Sequence, residues 1–191
     1  YDMLDSFDEG GFTSKLNSTS EVPYYFNKTG SEYVAFCWKA GNGTIENGDG
    51  HITSTVSVNK DAGFSIVSWN NAGSQTNYTI GHGLDKAPEF LCIKGRNKNA
   101  QFVVHHKSVP ATHYLAFNRT IAPASHIYFN NTLPTSKVFS LGTDTDIAGN
   151  SSYPNLIAYC WHAIEGYSKF GTFEGNENAD GPFIYLGFKP A

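Results

Sequence analysis

The sequence predicts an all-β protein, an antiparallel β-sandwich or jelly roll built on an internal tandem repeat. Three observations point there. Short runs of β-branched and aromatic residues recur along the chain. The stretches between them are rich in Gly, Asn, Asp, Ser and Thr, the residues of tight turns. One apolar run also occurs twice, with similar neighbours in the same order. Aromatics make up 15% of the residues and charged groups 16%, with a single Met, a balance that suits strands and turns better than helices. At 191 residues the chain can bury a real core, as one large β domain or two small ones.

The clearest strand signals are Tyr33–Trp38, His51–Val58, Gly63–Trp69, Phe90–Lys94, Phe102–His106, Tyr114–Phe117, Val138–Leu141, Leu156–Trp161 and Pro182–Phe188. Ile52, Ser54, Val56 and Val58 show the alternation expected when one strand face is buried. Gly41-Asn-Gly43, Asn47-Gly-Asp-Gly50, Gly142 to Asp146 and Asn176 to Gly181 separate the runs and suit turns with positive φ or Asx geometry. No stretch is long and periodic enough for a helix, and none approaches the roughly 20 apolar residues of a membrane span.

The repeat sets the domain organisation. Tyr33-Val-Ala-Phe-Cys-Trp-Lys-Ala40 matches Leu156-Ile-Ala-Tyr-Cys-Trp-His-Ala163. Upstream, Gly11-Phe-Thr13 resembles Val138-Phe-Ser140. Downstream, Gly63-Phe-Ser65 answers Gly166-Tyr-Ser168, Trp69 answers Thr172 or Phe173, and Lys86-Ala-Pro88 answers Lys189-Pro-Ala191. The first repeat carries an extra strand-like insert around Ile45 to Asp61. Residues 1–32 are therefore expected to form an N-terminal arm or partial repeat. Residues 33–137 form the first module, and 138–191 a second, incomplete one; the two modules as one shared sandwich is the open alternative. Tyr1 in place of an initiating Met points to a processed chain or a segment of a longer one. The second module stops where the first continues into Glu89–Lys94; either the strand missing there leaves an edge that another chain can fill, or the protein continues beyond Ala191.

These same strings resemble a tandem module of phage structural proteins. The resemblance is carried by Tyr33 to Gly41, Gly50 to Asn59 and Ala62 to Val67. It continues through Gly81-His-Gly-Leu84 with Ala87-Pro88, Val104 to Ser108 and Asn131 to Ser136. It closes with Glu165 to Gly171, Asp180 to Phe183 and Gly187 to Pro190. The module is abundant in tail-fibre and other virion-surface proteins of phages of marine and aquatic bacteria, and is similar to concanavalin-like jelly rolls. The resemblance covers the chain from about Tyr33 onward. It implies a fold and a surface context, with no enzymatic activity and no functional residues to transfer.

Asn-X-Ser/Thr sequons begin at Asn17, Asn27, Asn42, Asn77, Asn118, Asn130 and Asn150, against roughly three expected by chance for this Asn, Ser and Thr content. They are candidate sites for N-linked glycans on exposed loops; an Asn- and Thr-rich β surface without sugar produces the same pattern. Tyr24, Tyr25 and Phe26 lie outside the repeat and are candidate subunit contacts. The repeat-equivalent aromatics Trp38, Trp69, Trp161, Tyr33, Tyr159 and Tyr167 read first as core, ahead of sugar-stacking surfaces.

The remaining chemistry-bearing residues read as structural. Cys37, Cys92 and Cys160 each sit in an apolar run and read as buried thiols, with a Cys37–Cys160 disulfide as the alternative. His105 and His106 are adjacent on a strand, so they point to opposite faces and cannot share one metal. His82 in Gly81-His-Gly83 belongs to a turn. Asp144-Thr-Asp146 with Ala148-Gly-Asn150 is patterned like a calcium loop but lacks the terminal bidentate Glu, so a plain turn is expected and no metal ligand set is nominated. Glu165 beside His162 is no better than a contact at a strand end. No catalytic residue emerges, since the carboxylates sit in turns instead of facing each other across core strands.

A formal net charge of −4 with scattered Lys and Arg excludes a nucleic-acid-binding patch. The expected role is a non-enzymatic structural protein, a fibre or filament protomer outside the cell or on a virion surface. It needs no cofactor beyond glycans, and its partners are copies of itself joined through β edges. The alternative is a carbohydrate-binding adhesin module of a tail fibre, with cell-surface glycans as partners.

Overall fold

The computed structural model describes residues 4–14 and 30–190. They contain no helix, and the fold is an antiparallel β-sandwich, as the composition and turn spacing require. The chain divides into two compact units, Tyr1–Trp38 and Lys39–Ala191.

In the first unit, β1 (Leu4–Asp8) and β2 (Gly11–Ser14) form a hairpin. Gly10 takes φ 83° at its tip, a conformation that costs glycine nothing. Both hydroxyls flanking the Asp8 carboxylate donate to it, Ser6 Oγ at 2.8 Å and Thr13 Oγ1 at 2.6 Å, and these bonds hold its pKa below the usual value. Leu4, Phe7 and Phe12 are exposed. Residues 31–38 run on without a β-ladder, with Val34 79% and Phe36 75% exposed. Tyr24, Tyr25 and Phe26 lie outside the described residues.

The second unit holds β3 (Ile45–Asn47), β4 (Ser54–Asn59), β5 (Phe64–Asn70), β6 (Tyr78–Gly81) and β7 (Phe90–Gly95). It continues with β8 (Val103–His106), β9 (His113–Ala116), β10 (Ala124–Ser125), β11 (Val138–Leu141) and β12 (Asn155–Trp161). Eight of them form one sheet in the order β10-β9-β8-β7-β12-β5-β4-β3, and β11 and β6 pair as a small sheet. β12 is central. It runs antiparallel to β5 with Ala158 opposite Val67 and Cys160 opposite Ser65, and antiparallel to β7 with Ala158 opposite Ile93.

Strand alternation sorts the large sheet into two faces. One carries Val56, Val67, Trp69, Leu91, Ile93, Val103, Leu156, Ala158 and Cys160, all buried. These share a cluster with Tyr78, Ile80, Phe139 and Leu141 of the small sheet, with Phe139 meeting Trp69 edge-on at 5.7 Å. The sheets are joined where Gly50-His51-Ile52 crosses β6. His51 N–H donates to the Thr79 carbonyl at 2.9 Å, and a side chain at Gly50 would collide with that same carbonyl. A buried polar chain ties the far end. Trp69 Nε1–H donates to Tyr78 Oη (3.1 Å), Tyr78 Oη–H donates to the Ala148 carbonyl (2.6 Å), and Asn71 Nδ2–H donates to that carbonyl as well (2.8 Å). Each buried donor has an acceptor, so the network is stable without water.

β11 and β12 belong to the second repeat by sequence, and their sheet partners β5, β6 and β7 to the first. Strands of both repeats thus fill one sandwich. Two predicted strands, 33–38 and 182–188, carry no ladder, whereas the small strand β6 and the two-residue β10 form where none was expected.

The repeat gives a paired stability test. Ala158→Asp places a lone carboxylate at a fully buried central position and lowers stability by on the order of 4 kcal/mol, a fall of roughly 10 °C in Tm. Ala35→Asp, at the equivalent exposed position, changes it by less than about 0.5 kcal/mol. Thermal unfolding of the two variants in dilute solution reads the difference.

Candidate functional site

The second face of the large sheet carries an aromatic cluster. Alternation on β12 turns Ile157, Tyr159 and Trp161 away from the core, and the register sets Trp161 between Phe64 of β5 and Phe90 of β7. Trp161 stacks on Phe64 at 4.9 Å and meets Phe90 edge-on at 5.5 Å. Phe90 also contacts Phe117 (5.5 Å), Phe170 (5.8 Å) and His106 (6.3 Å). Such ring pairs contribute beyond the area they bury, by about 0.5–1.5 kcal/mol each.

The rest of the surface is organised by the repeat. Trp69 is buried, as its core reading requires, whereas Tyr159 and Trp161 are half-buried on the face turned away from the core. Tyr33, Trp38 and Tyr167, the counterparts of Leu156, Trp161 and Phe64, are about half exposed or more, which corrects the core reading for them. The physical reason is that β12 has β5 and β7 beside it, while residues 31–38 carry no ladder. Burial of a strand follows from its neighbours, not from its own sequence. Phe12 of β2 is exposed where its counterpart Phe139 is fully buried, and Phe173, Phe183 and Tyr185 are exposed in the C-terminal segment. The cysteines divide the same way. Cys92 and Cys160 are buried free thiols, Cys92 pushed up to about 12 by burial and Cys160 higher still. Cys37 is an exposed free thiol, so neither its buried reading nor a Cys37–Cys160 bridge holds in this structure.

His82, His105 and His106 lie in or beside strands of the second unit. His105 faces the core, 2% exposed and edge-on to Phe129 at 5.5 Å, while His106 lies on the opposite face, the separation their adjacency predicts. His82 is fully buried and hydrogen-bonded, directly after β6 and outside any turn. The Leu84 N–H donates to its Nδ1 (3.2 Å), so Nε2 carries the proton and donates to the Thr135 carbonyl (3.1 Å). Burial lowers the pKa of all three, with His105 brought down to about 4.

The acidic loop is a turn. Asp146 N–H donates to Asp144 Oδ1 at 2.8 Å, Lys98 Nζ pairs with Asp146 at 2.7 Å, and His126 Nε2 lies 3.4 Å from Asp144. These contacts occupy both carboxylates. Among the described residues no group of three or more His, Cys, Asp or Glu side chains converges as metal ligands.

Of the sequons, Asn17 and Asn27 lie outside the described residues. Asn42, Asn77, Asn118 and Asn130 are exposed, and Asn150 is half-buried. Asn77 and Asn130 adopt φ of 52° and 50°, turn conformations that Asn tolerates. Asn118 accepts from the Phe102 N–H and Asn150 from the Ser152 and Tyr153 N–H groups through their amide oxygens, which leaves each amide nitrogen available for a glycan.

The match to known families spans this whole arrangement: residues 1–191 match DUF7483, a domain of unknown function. The chain belongs to the DUF7483 family. No curated protein and no solved structure matches it. The DUF7483 match runs through the exposed strand-like segments as well as the sandwich, so both belong to the domain.

His105 yields a pH test. Its folded pKa of about 4 lies below the ordinary 6.5, so the unfolded chain binds the proton more tightly and stability falls as pH drops from above 6.5 towards 4. Urea unfolding is expected to lose about 2 kcal/mol between pH 7.5 and pH 5 from this residue. His105→Leu should flatten that part of the profile, and an unchanged slope would assign the loss elsewhere.

Proposed function

We propose that this chain is a non-enzymatic structural protein, a protomer of an extracellular or virion-surface fibre or filament. It assembles by β-strand contacts and carries N-linked glycans on its exposed loops. The observation that carries this reading is the exposure of strand-forming apolar sequence at residues 31–38, whose near-copy is the central strand of the sandwich. An exposed row of this kind is a template for pairing with another chain. The resemblance to phage virion-surface modules supports the same setting. The buried His residues serve packing and backbone bonds and are not arranged as an acid–base pair, which supports a structural role over a chemical one.

The test is intact mass of native material before and after deglycosylation, with particle size measured across concentration. A mass above 20.9 kDa that falls on sugar removal, in particles of many subunits, is expected. Polymers at the bare sequence mass would keep the protomer and remove the glycans. A monomer at every concentration would overturn the proposal.

One feature favours the adhesin reading as a second possibility. Phe117, Asn118, Arg119, Thr120 and Ile121 line a shallow hollow in which an exposed ring stands beside amide and guanidinium groups, the chemistry of sugar stacking. A glycan array should then show binding that Phe117→Ala abolishes; a blank array removes this reading.

A further inference from the structure

The sequence contains two Asn-Gly dipeptides, Asn42-Gly43 and Asn47-Gly48, and they bracket β3, an edge strand of the eight-stranded sheet. This dipeptide is prone to self-deamidation. Glycine has no side chain to hinder attack by its own amide nitrogen on the preceding carboxamide, and its backbone reaches the needed conformation readily. A Cβ added at Gly43 or at Gly48 would meet no atom within 4 Å, so neither site is crowded.

The two carboxamides differ in how they are held. Asn47 Oδ1 accepts from the Asp49 N–H at 2.9 Å, and Asn47 Nδ2 donates to Asp49 Oδ2 at 3.4 Å. The Asn47 backbone pairs with Ser54 of β4, and its carboxamide fills the space where a side chain on Gly81 would lie. Asn42 is exposed in a bend ahead of β3. Among the described residues its side chain makes no hydrogen bond, and the Gly43 N–H donates none. The chain just before it is anchored, since Ser57 Oγ donates to the Gly41 carbonyl (3.3 Å) and Asn59 Nδ2 to the Lys39 carbonyl (3.2 Å).

We propose that Asn42 deamidates spontaneously in the folded protein, while the fold protects Asn47 from the same reaction. The Gly43 nitrogen attacks Asn42 Cγ and forms the new N–Cγ bond. The Cγ–Nδ2 bond breaks, and Nδ2 leaves as ammonia with the Gly43 amide proton. Water then opens the succinimide at one of its two carbonyls, giving aspartate or isoaspartate. One water is consumed and one ammonia released, with no other reactant. At Asn47 the same attack first requires both carboxamide hydrogen bonds to break and the end of β3 to open.

The site has a second property. Asn42-Gly43-Thr44 is a sequon, and of the seven sequons it alone has Gly in the middle position. Deamidation removes the nitrogen to which a glycan would be attached, so the two modifications exclude each other at this residue. It also places a new carboxylate, or an extra main-chain methylene, just ahead of the edge strand.

The test ages the full chain, made in bacteria without glycans, in mildly alkaline buffer with and without urea. The tryptic peptide Ala40–Lys60 carries both sites, and fragment masses separate them. In urea both asparagines should convert at comparable rates. In the folded protein Asn42 should keep converting, with isoaspartate detected by enzymatic methylation, and Asn47 should convert at least about tenfold more slowly. Gly43→Ala should suppress the reaction at Asn42 and leave Tm unchanged, because Gly43 has no positive φ and an added methyl group meets open space. An Asn42 that stays an amide in the folded protein, or persists unchanged in Gly43→Ala as a converting site, would overturn the proposal. Conversion of Asn47 as fast as Asn42 in the folded protein would overturn the protection assigned to the fold.

Discussion

β12 is hydrogen-bonded along both edges, and one of its faces is sealed by the small sheet. Its small residues decide how closely the layers approach. Ala158 and Cys160 leave room at the centre for Trp69, Ile93 and Phe139 to interdigitate, which larger side chains would block. The strand arrives late in the chain. Asn155 faces Asn70 across 85 residues, so the sheet cannot close until the segment through β11 has been laid down. A fold centred on such a distant pairing forms slowly, because the loop-closure entropy is lost before the central contacts form. The Trp69–Tyr78–Ala148 chain and the Asn71 bond to the same carbonyl then lock the loop that delivers β12.

Much of this was legible in the residues, for identifiable reasons. β5, β7, β11 and β12 are apolar runs bounded by turn residues, and their sequences state strand without ambiguity. β6 is harder to see, because Tyr78-Thr-Ile-Gly81 is short and follows a polar loop, and β10 has only two residues. The repeat was visible, but its structural consequence was not. Val34-Ala-Phe-Cys-Trp38 and Ile157-Ala-Tyr-Cys-Trp161 differ little as strings, yet one lies exposed without a ladder and the other is held by two neighbours. Strand propensity is a property of the segment, whereas burial depends on what comes to lie beside it. That is why Tyr33, Trp38, Tyr167 and Cys37 read as core and are exposed. The histidines illustrate the same limit: adjacency placed His105 and His106 on opposite faces, but only the packing of Phe129 makes His105 a core residue.

The edges of the large sheet bear on how copies of the chain can meet. β3 has three residues and β10 two, and β3 turns the charged Glu46 outward. Short, charged edge strands resist further pairing. Growth by adding a strand to either edge of the eight-stranded sheet is therefore disfavoured. Residues 33–38 form an apolar segment outside that sheet, flanked by Glu32 and Lys39. Flanking charges of this kind hold an apolar strand in solution without destroying its capacity to pair. An exposed strand of this composition is an aggregation hazard unless a particular partner outcompetes random ones.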